Sequence, residues 1–385
     1  RERAMPFGRN GWTPASVLGV SEDKLFEKSD KEQLVHLGRG LGHYHRQLAA
    51  RLQLASSDEL QWVVFNQNVA SRVQSGPTCG LVALRMAAEH FTRSTEVVGA
   101  RTDADSGDVS VPSGTPAEDQ QLSGGKALLC HAIEKGVTIA GEMFSAADLA
   151  GVANSWYGVN GNGIAGGTQV PVAAHETTFP STAGDVLSLL TGPLEEGRRQ
   201  AALIAVPYDS APNHEPYLGG GSHAHWGLVK GVAVPVLKER LTDAAFAEWL
   251  GDIAEDAVVH SEVPMHVIDA ATAASAAKSG ILKEVEEEEH EEGKERADRG
   301  WMSVRQQEGI AAAAASVSGG VCCKMSLFVI VQQSKSKHQM VCPFDMLQAS
   351  NMNLFAVEEA RASQYHMPNG MEELRGHAVT LAPAL

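Results

Sequence analysis

Basic residues are in short supply: 31 Lys and Arg stand against 47 Asp and Glu, for a net charge of −16. That balance disfavours nucleic acid and anionic membrane surfaces as partners. Long apolar runs are missing as well, and none approaches the roughly 20 residues that span a bilayer. The opening Arg1-Glu2-Arg3-Ala4-Met5-Pro6 lacks the apolar stretch of a signal peptide. Cysteine is scarce, and its odd total of five shows no framework spacing, so a disulfide scaffold is not indicated. Cys322-Cys323 and Cys342 have no Cys-x-x-Cys partner, and Cys130 reads as core of a helical stretch. The expectation is a reduced, cytoplasmic protein without a cofactor or metal. Proline is rare at the start: residues 1–60 hold only Pro6 and Pro14, so no polyproline II ligand is evident there.

What is present is a cysteine in a telling place. In Gln74-Ser75-Gly76-Pro77-Thr78-Cys79-Gly80-Leu81-Val82-Ala83-Leu84, a Gly/Pro turn gives way to an apolar helix. Leu81, Leu84, Ala88 and Phe91 recur at spacings that bury one face of a helix over about 80–92. A thiol at a helix N-terminus lies near unpaired N–H groups and the positive end of the dipole, which favours the reactive thiolate. Free cysteines elsewhere are mostly inert packing; the surrounding string sets this one apart. Gln74, five residues upstream, has the side-chain amide that papain-like enzymes use to hold an oxyanion.

A nucleophile needs a base. His225 stands in Ser222-His223-Ala224-His225-Trp226-Gly227-Leu228-Val229-Lys230-Gly231, after the loop Gly219-Gly220-Gly221 and at the start of a strand-like run. It would take the thiol proton and return it to the leaving amine. His223 and His225 share a strand face, but no further ligand at metal spacing accompanies them. The group that orients the imidazole is expected after the run Met325–Val331, where Gln333 is the choice, with Asp209 and Asp345 as competitors.

The motifs resemble those of the actin maturation proteases, cysteine proteases of papain-like or bacteriocin-processing-peptidase-like fold. The resemblance rests on ordered strings: Gln74 to Leu84; Gly141-Glu142-Met143-Phe144-Ser145-Ala146-Ala147; and Val206-Pro207-Tyr208-Asp209 with Asn213-His214-Glu215-Pro216. It continues through His223-Ala224-His225-Trp226, Gln333-Ser334-Lys335-Ser336 and Ser350-Asn351-Met352-Asn353-Leu354. It implies an α+β fold in which the nucleophile heads a central helix packed on an antiparallel sheet, with long loop insertions. It implies removal of an N-acetylated first residue, acetyl-Met or acetyl-Cys, from immature actin to expose its acidic mature N-terminus. Cys79 would be the nucleophile and His225 the base, while Gln74 and the Cys79 N–H would hold the oxyanion of a thioester-forming acyl transfer. Alternatives are a papain-like hydrolase for another peptide or isopeptide, or a silent binding protein of the same fold. Profilin, the actin-binding partner of such proteins, would engage a proline-rich N-terminus that residues 1–60 do not provide.

An acidic substrate facing an acidic protein calls for local positive charge, expected from Lys230, Lys335, Lys337 and Arg72 at the cleft rim. Part of the acidic excess is local: Lys283 to Arg296 holds eight Glu against three basic residues and reads as a solvated linker. Residues 1–60 read as a peripheral segment with a helix near 34–54, residues 61–385 as the catalytic domain, and 270–320 as a flexible acidic, Ala-rich insertion. Further helices are expected at 125–135, 145–155, 182–190, 237–253 and 345–350. Strands are expected at 202–206 and 325–331, with loops over 101–125 and 160–178. The strands at 225 and 325 should be neighbours despite the excursion between them.

Overall fold

The computed structural model describes residues 24–26, 30–102, 118–161, 169–191, 202–239, 258–260, 263–268, 327–356 and 364–384, with residues 194–195, 198–199 and 362 besides. The elements run β1 (Lys24–Phe26), α1 (Asp30–Arg51), β2 (Leu60–Asn66), β3 (Ser71–Val73), α2 (Cys79–Thr102), α3 (Glu118–Glu134) and α4 (Ala146–Tyr157). They continue through β4 (Val172–Thr178), α5 (Ala183–Thr191), the two-residue strands β5 (Leu194–Glu195) and β6 (Arg198–Arg199), β7 (Leu203–Asp209) and β8 (Ala224–Leu237). The last are β9 (Val258–His260), β10 (Val263–Ile268), β11 (Phe328–Gln333), β12 (Met340–Pro343), α6 (Phe344–Met352) and β13 (His377–Pro383).

The fold is α+β. Strands lie in the order β4-β13-β7-β8-β2-β10-β9, with β11 also paired to β8 and β12 to β11. All these pairings are antiparallel except β10 on β2, which is parallel. Period-two alternation divides each strand between two cores. From β7, Leu203 and Ala205 face the cluster under α2, α3 and α4, whereas Ile204, Val206 and Tyr208 face the cluster with Val186, Leu187, Leu190, Phe344 and Leu347 of α5 and α6. The same alternation in β11 sends Phe328 and Ile330 toward α1 and Val329 and Val331 to the other side. β8, buried along nearly its whole length, is the strand on which the rest are assembled.

The N-terminal helix, read from the sequence as part of a peripheral segment, is packed on this sheet. Leu37 and Leu41 of α1 are fully buried against Trp62, Val64, Phe328 and Ile330. Full burial of each leucine is worth about 1.5–3 kcal/mol. Expected helices at 80–92, 125–135, 145–155, 182–190 and 345–350 correspond to α2 to α6, and Ser145 caps α4 through the Asp148 N–H. β8 and β11 are indeed neighbours across the long excursion. Two loop readings need correction. The stretch 160–178 ends in β4, which pairs with β13 from His377↔Thr178 to Pro383↔Val172. Helix α3 begins at Glu118, inside the expected loop 101–125. The helix over 237–253 and the insertion over 270–320 fall almost wholly outside the described residues.

Inside the fold, His90 sits with Nδ1 3.2 Å from the Asn68 carbonyl and Nε2 3.1 Å from Gln67 Oε1. Burial, aided by Arg93 and Lys230, lowers its pKa to about 4. Between pH 6.5 and 4 the unfolded chain therefore takes up a proton that the folded chain refuses, and stability falls as pH falls. Between pH 7 and 5 this costs about 2 kcal/mol. Thermal unfolding should show a Tm decline over that interval that is shallower in His90→Gln; an identical decline would discount His90.

Candidate functional site

The turn before α2 is shaped by Gly76, at φ 74, a left-handed position that suits glycine. Thr78 Oγ1 then donates to the Ser75 carbonyl, and the first helical bond runs from Val82 N to the Thr78 carbonyl. Cys79 is thus the first residue of α2. A Cβ on Gly80 would lie 3.0 Å from Met143 Cγ and 3.2 Å from Trp226 Cδ1, so glycine lets the helix start close against β8. Trp226 is held there by its Nε1, which donates to the Met143 carbonyl at 2.8 Å.

The half-buried Cys79 thiol is met by the backbone N–H groups of Trp226, Gly80 and Cys79 itself, and by the positive charge of Lys335. Each of these favours thiolate, yet burial outweighs them and pushes the thiol pKa up. The sequence expectation of a thiolate favoured by the helix N-terminus is therefore reversed: desolvation of the charge exceeds what the helix end supplies.

His225, one residue before Trp226, pairs in register with Tyr208, and the two rings meet edge-on at 5.8 Å. The imidazole is only 2% exposed. Burial, then Lys335 and His214, depress its pKa well below the usual histidine value, so it is a neutral base at physiological pH. Its Nε2 is buried without a hydrogen-bond partner, and so it is not bonded to the thiol through that nitrogen. Cys79 and His225 lie at the same end of β8, with Lys335 close enough to act electrostatically on both.

Gln74 is anchored beside them. Its N–H donates to the Ser334 carbonyl at 2.8 Å, its Oε1 accepts from Ser334 Oγ, and its Nε2 donates to the Gly76 carbonyl at 2.7 Å. A primary amide has two N–H donors, and one bond to Gly76 leaves the second for a ligand. Gln333 Oε1 accepts from the Lys335 N–H at 3.2 Å, a bond within the turn rather than one to His225. Asp345 is exposed in the first turn of α6.

Asp209 holds the backbone that precedes His225. Fully buried, it accepts from the Gly221 N–H through Oδ2 and the His223 N–H through Oδ1, both at 2.8 Å. These bonds pin the glycine-rich loop that delivers His225. Asp209→Ala should cost about 2–4 kcal/mol from two lost charge-assisted bonds. It should also lower kcat roughly tenfold, with KM less affected, through misplacement of the imidazole. Unchanged kcat in the folded variant would discard the positioning role.

Two expected rim cations are buried elsewhere. Lys230 is fully buried within β8, with Nζ donating to Gln33 Oε1 at 2.9 Å. Arg72 is 3% exposed and clasps Glu89 through Nε and Nη2, at distances down to 2.6 Å. Lys337 lies over the Phe26 ring at 5.8 Å. Lys335 alone of the four is brought to Cys79.

The sequence reading named the strings around Glu142 and Asn351 but gave them no task. Glu142 accepts from the Ile139, Ala140 and His366 N–H groups and so sets the loop ending at Met143. Asn351 donates to the carbonyls of Pro207, Leu374 and His377 and accepts from Gly376 N, tying the end of β7 to β13. Ser334, Trp226 and Tyr208 likewise stood in quoted strings without a task, because their partners are more than 130 residues away or on a neighbouring strand. Among the described residues no cluster of three or more His, Cys, Asp or Glu could hold a metal, and no helix is long and apolar enough to cross a membrane.

The chain is thus an α+β protein with a cysteine as the first residue of a buried helix and a buried neutral histidine at one end of its central strand. Residues 192–233, which carry His225, match the family described as actin maturation protease-like, C-terminal domain. Curated relatives agree. The chain is 30% identical over 230 residues to the actin maturation protease of Bos taurus, covering 59% of this chain and 52% of that protein. It is 30% identical over 235 residues to that of Homo sapiens, covering 59% and 51%, and 33% identical over 176 residues to that of Danio rerio, covering 46% and 43%. It spans about half the length of the curated relatives it matches. No solved structure matches it. The chain is similar in sequence to actin maturation proteases over about half of its length.

Proposed function

We propose that this protein is a cysteine peptidase of papain-like fold that removes the N-acetylated first residue, acetyl-Met or acetyl-Cys, from immature actin. The observation that carries the reading is the placement of Cys79 at the start of α2 against Trp226, with Lys335 acting on both Cys79 and the buried His225, whose Nε2 has no partner. The relatives supply the substrate: they are named for actin maturation. In the mechanism His225 takes the Cys79 proton as sulfur attacks the carbonyl of the acetylated residue. The oxyanion is held by the free Gln74 N–H and the Cys79 N–H at the helix start. Collapse expels the actin amine, which takes the proton from His225, and leaves a thioester that water hydrolyses.

Resting charges follow from the site. Both groups are neutral, with the thiol protonated and the imidazole unprotonated, so proton transfer accompanies attack instead of preceding it. Mass spectrometry of acetylated actin N-terminal peptides incubated with the protein tests the reading. The expected product is the peptide shortened by one acetylated residue; an intact peptide, alone or on actin, would reject it.

A further inference from the structure

An open groove of about 320 Å³ runs between α1 and the turn joining β11 to β12, with the 213–215 loop at one end. That is within the size range of ligand sites. Its walls include Arg39 and His43 of α1, Asn213 and His214 of the loop, and His338 and Gln339 of the turn. Gln333 also lines it, one residue from Ser334, which holds Gln74. The groove is therefore lined both by a residue next to Ser334 and by exposed residues of α1.

Three observations suggest an occupant. First, the wall is polar and rich in donors, with a guanidinium, imidazoles and an amide. Among the described residues that line it, Glu215 is the one carboxylate, and it is already engaged by Asn213 Nδ2 at 2.7 Å. Second, two of the lining residues, His214 and Gln339, each hold a buried polar atom without a partner, Nδ1 and Oε1, so these side chains gain a bond if they turn toward a ligand. Third, His214 adopts a left-handed backbone at φ 72, unusual for a non-glycine residue, and its carbonyl accepts from Tyr208 Oη at 3.3 Å. Tyr208 packs against His225.

Proton chemistry decides which part of a substrate would lie there. The general acid must stand at the leaving amine, so the segment after the cut departs on the His225 side. His214, which lines the groove, is close enough to His225 to act on it electrostatically. We infer that this groove binds the segment following the scissile bond, as an extended peptide whose carboxylate side chains meet Arg39 and His43. The inference rests on the peptidase reading for direction, and on the groove's own chemistry for its acidic ligand.

Fluorescence anisotropy tests it without turnover. The probe is fluorescein-tagged acetyl-Met-Asp-Asp-Asp-Gly-Ser-Gly, with a control carrying Asn at the acidic positions, titrated with the full chain bearing Cys79→Ala. The acidic peptide should bind at least tenfold more tightly than the control. Arg39→Glu with His43→Glu, both on the exposed surface of α1, should remove most of that preference. Circular dichroism melting would confirm that the variant is folded. Equal affinity for the two peptides, or a preference untouched by the double variant, would overturn the groove. With Cys79 intact, cleavage with unchanged KM in the double variant also overturns it while leaving the peptidase reading standing. Charge-dependent binding without any cleavage does the reverse.

Discussion

Replacing Cys79 by alanine is expected to reduce release of the acetylated first residue by at least about 10³-fold, to background. In the proposed mechanism the thiol forms the acyl intermediate. The oxyanion donors around it have nothing to stabilise once sulfur no longer attacks. Because the side chain is small and half-buried, the substitution should cost no more than about 1 kcal/mol of stability. A folded Cys79→Ala protein that still shortens the peptide would remove cysteine catalysis from consideration. The raised thiol pKa adds a second signature: alkylation of Cys79 by iodoacetamide should be slow at neutral pH and accelerate into the alkaline range. Rapid, pH-independent alkylation at pH 7 would indicate a preformed thiolate and contradict the balance in which burial dominates.

Loss of the base should be nearly as severe. His225→Ala is expected to lower kcat/KM by about 10²–10⁴. The pH profile carries more information than the magnitude. The base works when neutral, and its pKa is depressed well below 6.5, so the acid limb of kcat/KM should fall below pH 6.5. Lys335 offers a handle on the same limb, since its charge pushes the imidazole toward the neutral form and the thiol toward thiolate. Lys335→Met should therefore move the acid limb upward and shift Cys79 alkylation to still higher pH. Both shifts come from one charge, so they must appear together. An acid limb above pH 7 in the parent protein, or shifts of opposite sense in Lys335→Met, would mean that the two groups do not share that field.

Much of this site was legible without coordinates because it is local. A Gly/Pro turn followed by Cys79-Gly80 and apolar residues at helical spacing specifies a helix start within a dozen residues. The helix at 145–155 and the strand opening at His225 are readable for the same reason. The arrangement around Gln333 was less legible: a strand end followed by polar residues was recognised, but which neighbour each amide would bind was not. β13 went unnoticed and β4 was read as loop, because each is short and gains its stability from the other, about 200 residues away in the chain.

The sequence by itself determined where Cys79 and His225 stand on their own elements, the α+β mixture, and the similarity to actin maturation proteases. Tertiary structure decided the charges. Lys230 and Arg72, cationic and apparently available in the sequence, are buried against Gln33 and Glu89, whereas Lys335 is carried to Cys79. It also decided the state of the thiol, raised by burial although the helix end alone would lower it. The reason is physical: periodicity, caps and turns act over a few bonds, whereas desolvation and Coulomb interactions depend on which distant segments close around a group.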